Sequence, residues 1–499
     1  MRTIREILNK IKKLEGIELK EYLINIEENY QIELKKSKNS FPKEALESYS
    51  AFANTDGGLL ILGIEETSTG LNISGVKSPD KVKKEMFDIL NNSQKVSKNI
   101  ITDQNIVEKI IDDKVVIIID VPRAYYKDKP VYLNNNPKTT FKRNYEGDYR
   151  CTEQEMIIMI QDSSNESLDN SLLENFTIDD LDPEAIRSYR QRFSLLKSEH
   201  PFTGLSDQDF LIKLKVLRKN RRTNTLELTL GGLLVFGKSE AIKERLPHFH
   251  VEYIDKSDLS HERWSDRLVY DGTWEDNLYN FFYLAINRIY NNLEKNFKIL
   301  EDNITREELS EVHIALREAF INSIIHANFE LEQPIKVTKY PNYFQFENPG
   351  TLRISKEDFF EGEHSDPRNH IIQEIFRHLN LCERAGSGIP KILKAVKDYS
   401  YKHPDIEEDK DKFTFKFWNI EKIEDGKKQI ESLDDLNKIE KDLLIYLLTN
   451  KTISNKDVQE NFDLTKNQTT KLFNKLVEKK YIKKLGIGRG TFYKIAIDF

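Results

Sequence analysis

The sequence predicts an α+β protein built from several domains, and three observations predict it. At 499 residues the chain exceeds what one hydrophobic core holds. Apolar runs of strand length, such as Val115–Val121, alternate with amphipathic helical patterns. Two polar stretches, "QDSSNESLDNSLLEN" (161–175) and "IEDGKKQIESLDD" (423–435), read as linkers between patterned segments. Four segments follow: residues 1–162, 176–300, 301–420 and 436–499.

Composition narrows the class. Hydrophobic residues make up 38% and charged residues 32%, which suits a globular protein. The net charge of −7 argues against a uniformly basic nucleic-acid binder, although local patches decide that question. No signal peptide or membrane-spanning run is expected, so the reading is a cytoplasmic protein with no membrane partner. Cys151 and Cys382 lack zinc-site spacing and cannot make a disulfide framework; two buried free thiols are expected.

In the first segment, strands are expected over Leu59–Ile64, Ile106–Ile110, Val115–Val121 and Val131–Leu133. The run "PKEALESYSAFANTDGGLLILGIEE" begins as a helix with its proline near the first turn. Asn54 to Gly58 cannot stay helical, because the double glycine permits a sharp turn. A buried strand then delivers Glu65 and Glu66 to its end. Upstream, "EENYQIELKKS" (27–37) puts Glu33 and Lys35 two apart, on one face of a strand, with Glu28 five residues earlier. Carboxylates converging from these places need a counter-charge. A divalent cation would supply it, with a lysine left to stabilise phosphate; solvated surface charge is the plain alternative. Lys36, Lys38, Arg123, Lys142 and Arg143 join Lys35 as candidate phosphate contacts.

The second segment mixes helices with the short stretch "LELTLGGLLVFGK" (226–238). In the third, "LREAFINSIIHANFE" (316–330) is a helix whose Glu318, Asn322 and His326 lie four apart and share one face. Such a stripe can set a general base and a Mg²⁺ ligand beside a nucleotide, or simply face solvent. A hairpin ending at Asn348-Pro349-Gly350 follows. Arg368–Asn369 and a Gly386-Ser387-Gly388 turn come next, the turn opening a helix whose backbone N–H groups could meet phosphate.

The last segment reads as three helices and a hairpin, the order of a winged helix-turn-helix. Its third helix turns Leu472, Phe473, Leu476 and Val477 inward and Lys466, Lys471 and Lys475 outward, and Lys483, Lys484 and Arg489 lie on the wing. DNA contact and protein contact are both open readings. A symmetric homo-oligomer is the base-rate expectation.

Two resemblances sharpen this. "NYQIELKKS", "AFANTDGGLLILGIEE", "GLNISGV", "KPVYL" and "FKRNYEGDYRCTEQEM" resemble the Schlafen/AlbA-like domain across about the first 160 residues. That resemblance implies a mixed α/β nucleic-acid domain. In the family's ribonucleases it also implies Mg²⁺- or Mn²⁺-dependent cleavage of RNA, notably tRNA, by acids carried onto Glu28, Glu33 and Glu66. The family's third acid is usually Asp, and many members only bind nucleic acid. The ordered motifs from 176 to 420 resemble a divergent GHKL-type ATP-binding domain, sometimes labelled a RecG-like helicase C-terminus.

The second resemblance implies an α/β sandwich that binds ATP, with Glu318 as base and Asn322 as Mg²⁺ ligand. It places His326, Asn348, Gly350, Arg368 and Asn369 around the nucleotide, and Gly386 and Gly388 in a phosphate lid. Asn348-Pro349-Gly350 replaces the usual Asp-x-Gly-x-Gly box, so binding is expected before turnover. No Walker A motif supports a helicase. The leading expectation is a metal-dependent endoribonuclease regulated by nucleotide, serving for example in phage defence. The alternative is a non-catalytic, nucleotide-responsive transcriptional regulator that binds DNA.

Overall fold

The structure is a computed structural model describing residues 4–26, 31–67, 70–164, 166–258, 260–261, 263–291, 293, 310–362, 366–382, 388–399, 401–419, 422–450, 453–462, 464–485 and 492–496. The expected sites Glu28, Gly386 and Arg489 lie outside the described residues.

The first domain opens with α1 (Ile4–Lys13) and α2 (Gly16–Ile24), then β1 (Ile32–Lys35), α3 (Ala45–Asn54) and β2 (Gly58–Leu62). After these come the ribbon β3 (Ile64–Thr67) and β4 (Gly70–Ile73), α4 (Pro79–Leu90), β5 (Ile106–Ile111) and β6 (Lys114–Val121). The hairpin β7 (Phe141–Asn144) and β8 (Gly147–Arg150) precedes α5 (Glu153–Ser163), which starts on a Thr152/Glu155 capping box. One sheet runs β1-β2-β6-β5, with β1 and β2 parallel and the other pairs antiparallel. Strand alternation splits its side chains between two cores. Ile32, Leu34, Leu59, Ile61, Val116 and Ile118 pack with α1 and α2; Leu60, Leu62, Ile117, Ile119 and Val121 pack with α3 and α4. Covered on both faces, β2 and β6 read as the continuous apolar runs seen in the sequence. The expected strand at 131–133 reduces to single bridges from Tyr132 to Thr140 and Leu133 to Val96.

Next come β9 (Leu172–Leu173), α6 (Pro183–Leu196), α7 (Asp207–Lys213), β10 (Leu217–Lys219), β11 (Leu226–Thr229), α8 (Leu230–Phe236), α9 (Ser239–Arg245), β12 (Val251–Asp255), β13 (Asp266–Leu268) and α10 (Leu278–Tyr290). They are followed by α11 (Glu311–Ile325), β14 (Ile335–Lys339), β15 (Tyr343–Pro349), α12 (Lys356–Glu361), α13 (His370–His378), α14 (Gly388–Asp398), β16 (Asp405–Glu408) and β17 (Lys412–Trp418). The boundary expected at residue 300 does not divide this region. One hydrophobic cluster runs from Leu173 to Phe417, and β12 lies parallel to β14 inside the sheet β13-β12-β14-β15-β17-β16. Helices α10 and α11 cover one face of that sheet. The other carries cross-strand ion pairs, among them Arg267–Glu252 and Lys412–Glu347 at 2.9 Å.

Neither expected linker is a bare connector. Within 161–175, Asp162 is 8% exposed and Asp169 0% exposed. The Asp169 carboxylate accepts the first N–H groups of α13, from Ile371 at 2.7 Å and Ile372 at 3.0 Å. The stretch is polar, yet Asp162 and Asp169 are buried acceptors with partners far along the chain. The second stretch forms α15 (Lys422–Glu431), whose Ile430 enters the last core.

That core joins α16 (Lys438–Asn450), β18 (Ile453–Ser454), α17 (Asn455–Phe462), α18 (Lys466–Glu478), β19 (Ile482–Leu485) and β20 (Phe492–Ile495) in the winged-helix order. Leu472, Phe473 and Leu476 are inward as expected, while Val477 is 37% exposed. Among the described residues, no helix is long and apolar enough to cross a membrane.

Candidate functional site

The turn motif of the first domain is a hydrogen-bonded corner. Asn54 is buried at the end of α3; its Nδ2 donates to the carbonyls of Val131 (2.8 Å) and Phe141 (3.0 Å), and its Oδ1 accepts Val131 N–H at 2.9 Å. Thr55 Oγ1 donates to Ala51 O and accepts Arg143 N–H. Gly57 has φ +77°, and a Cβ there would lie 2.9 Å from Val121 O; one on Gly58 would lie 2.4 Å from the Phe52 ring. The double glycine therefore serves close approach as well as the turn.

Glu33 lies beside this corner, 7% exposed, and its charge is already matched. Oε2 meets Arg143 Nη2 at 2.8 Å, and Oε1 takes a hydrogen bond from Lys35 Nζ. Arg143, expected on the surface, is a buried hub: it also pairs with Asp148 at 2.8 Å and lies over the Phe52 ring. Glu66 is exposed and belongs to the other side. Glu33 is registered with Leu60 in the α3 core, whereas Glu66 shares its face with Ile64 and its cross-strand neighbour Leu71, which pack toward α1 and α2. Glu33 and Glu66 thus sit on different packing faces. Among the described residues, no three His, Cys, Asp or Glu side chains are grouped to hold a metal ion, and a carboxylate neutralised by arginine and lysine is a poor donor for one. Of the expected Mg²⁺ or Mn²⁺ ligands, the described residues hold Glu33 in ion pairs and Glu66 exposed.

The other expected phosphate contacts divide. Arg123 is held by Asp56 (3.0 Å) and donates to Leu352 O (2.6 Å); Lys142 pairs with Glu155 at 2.5 Å. Lys36 pairs with Glu65 yet stays exposed, and Lys38 is exposed, with its carbonyl accepting the N–H of exposed Lys77. In the winged helix, Lys466, Lys471, Lys483 and Lys484 are exposed. Lys475 instead neutralises Glu440, which is 1% exposed, at 2.5 Å.

The expected nucleotide residues converge far better. Glu318, Asn322, His326, Asn348, Arg368 and Gly388 line one cavity. Helix α11 supplies the first two at helical spacing, and His326 is its C-cap. The start of α14 closes on them: a Cβ at Gly388 would lie 3.1 Å from Asn322 Nδ2 and 3.2 Å from Glu318 Oε2. Glu318 is 3% exposed, with Lys391 Nζ at 3.4 Å. Burial, with Arg368 and Arg353 nearby, pushes the His326 pKa down to about 3, so its ring is neutral. Phe346, Phe413 and Phe415 give the cavity an apolar wall. This combination of apolar wall, buried carboxylate, amide and helix N-terminus fits a phosphorylated ligand with a flat apolar part.

Three expected ligands have other work. Asn369 Nδ2 donates to Ile325 O and Ala327 O at 3.2 and 2.7 Å, capping the end of α11. Gly350 is absent from the cavity lining, and its N–H donates to Asp411 O. Arg368 lines the cavity but is bidentate on Asp162, Nε to Oδ1 at 2.8 Å and Nη2 to Oδ2 at 2.7 Å. Sequence reasoning missed Asp162 and Arg353: Asp162 is one of four acids in the polar stretch 161–175, and nothing local marks it.

Residues 28–152 match the family described as Schlafen, AlbA_2, and residues 332–417 the one described as "Putative ATP-dependent DNA helicase recG C-terminal". Residues 158–252 match a domain of unknown function. No curated protein matches the chain. Among solved structures, the DIP2311 protein from Corynebacterium diphtheriae is 15% identical, covering 93% of this chain and 95% of its own, with a TM-score of 0.42. The N-terminal domain of a RecG-related protein from Nitrosomonas europaea is 22% identical, covering 30% of this chain and 95% of its own, with a TM-score of 0.20.

Proposed function

We propose that this chain, which carries a Schlafen/AlbA_2 domain and a RecG-C-terminal-type domain, is a nucleotide-responsive nucleic-acid-binding protein that holds its target without cutting it at Glu33. The family match of the first domain points to a function involving nucleic acid. One observation carries the choice between holding and cutting: Glu33 is consumed by Arg143 and Lys35. The exposed lysines of the first domain and of α18 would meet phosphates, and the cavity beside α11 would take ATP. Glu318 would face the phosphate end, Asn322 would ligate the Mg²⁺ that accompanies it, and the α14 N-terminus would add backbone donors. Bound Mg²⁺ would screen phosphate charge.

Purified protein mixed with total tRNA, single-stranded DNA and duplex DNA, with and without Mn²⁺ and ATP, tests this directly. Salt-sensitive retention without new fragments is expected. Mn²⁺-dependent fragments would restore the endoribonuclease reading and, with it, an anti-phage role.

Two substitutions separate the parts. Gly388→Val should cut ATP affinity by at least about tenfold while the melting curve stays cooperative, because its side chain enters the space between Asn322 and Glu318. Equal isothermal titrations for both proteins would remove the cavity from the proposal. On duplex DNA, Lys471→Ala should reduce the slope of log affinity against log salt by roughly 0.9. Lys475→Ala should instead destabilise the winged helix, because buried Glu440 loses the positive charge of Lys475.

A further inference from the structure

The cavity wall on the Arg353 side is held from outside its own domain. Asp162 stands at the end of α5, a helix fastened to the first domain by the Lys142–Glu155 pair. Its carboxylate receives both cavity arginines. Arg353 donates from Nε and Nη2 at 3.2 and 3.1 Å, and Arg368 from Nε and Nη2 at 2.8 and 2.7 Å. Arg368 spends its other bonds inside the cavity domain, from Nη1 to His326 O at 2.8 Å and from Nη2 to Thr351 O at 2.7 Å. His326 caps α11, the helix that carries Glu318 and Asn322. A continuous polar chain therefore runs from the first domain to the floor of the cavity.

A second strap reaches the same wall. Arg123, anchored on Asp56 of the turn motif, donates to Leu352 O at 2.6 Å. Tyr125 and Tyr126 both donate to Asp366, and Arg353 lies 4.6 Å from the Tyr126 ring centroid. Leu352, Arg353, Asp366 and Arg368 all line the cavity. Burial alone would raise the Asp162 pKa, but the two arginines bring it below the usual carboxylate range, so the carboxylate is ionised at neutral pH.

We infer that Asp162 is a positioning residue for the cavity: it sets Arg353 and Arg368 from the other domain, so ligand binding and docking of the first domain are coupled. The inference rests on the proposed nucleotide reading. A ligand that favours this arrangement tightens the interface, and the interface strengthens ligand binding by the same factor.

Hydrogen exchange of the full chain with and without ATP tests the coupling. ATP is expected to slow exchange at 318–326 and also at 123–126 and 159–163. In Asp162→Asn, ATP affinity should fall about tenfold, within the usual range of such couplings, and the added protection at 123–126 should vanish. Asp162→Glu, which keeps the charge, should recover part of both. Tyr126→Phe removes only a hydroxyl and should weaken the remote protection, which covers the case in which Asp162→Asn does not fold. Protection at 318–326 alone would overturn the coupling and leave the nucleotide reading standing. No protection anywhere would overturn both. Unchanged affinity and protection in Asp162→Asn and Tyr126→Phe would remove the positioning role.

Discussion

Glu33→Ala should lower the stability of the first domain by about 3 kcal/mol rather than remove a catalytic group from an intact fold. The substitution takes the Glu33 carboxylate from Arg143, whose side chain is 2% exposed, while the pair with Asp148 remains. Breaking a buried pair from one side usually costs roughly 3–5 kcal/mol, and the surviving Asp148 contact puts this case at the low end. Lys35 adds little to the loss, because it is 29% exposed and can turn to water. The check is exchange of the β2 and β6 amides under increasing urea, in the full chain. Wild-type stability accompanied by lost Mn²⁺-dependent cleavage would show that Glu33 is a metal ligand after all.

Asn54→Ala should be nearly as severe, again about 3 kcal/mol, although the residue has no chemistry to perform. Removing the amide leaves Val131 N–H and Phe141 C=O without their partners in a buried corner, at roughly 1–3 kcal/mol each. Val131 O keeps its bond from Ser50 Oγ at 2.7 Å, so the loss stops there. Asn54→Asp should do no better, since a carboxylate would face two carbonyl oxygens. Unfolding of the same amides should begin at lower urea in both variants; wild-type behaviour in either would show that the corner is held by its glycines alone.

The helix, turn and strand of "AFANTDGGLLILGIEE" were legible because glycine and strand periodicity are local signals. The partners of its neighbours were not. Alternation shows that Glu33 opposes Ile32 and Leu34, but cannot show that the Glu33 side meets α3 and Arg143. The cavity stripe Glu318, Asn322 and His326 was legible for the opposite reason: one helix carries it, so spacing alone fixes its face. The pairing of β12 with β14 reaches past β13, α10 and α11, and such a contact across residue 300 leaves no local trace. Asp162 and Asp169 were read as linker residues because composition reports polarity and not whether a partner waits elsewhere.

The anchoring of Asp169 has a consequence for modularity. Its carboxylate is the counterpart of the first amides of α13, and Asp162 is the counter-charge of Arg353 and Arg368. A recombination event that transplanted the cavity domain from residue 176 onward would leave both acids behind. The inherited module would carry two guanidiniums stripped of the Asp162 carboxylate and a helix start stripped of its Asp169 acceptor. A portable cassette has to begin upstream of Asp162, taking the tail of its neighbour with it.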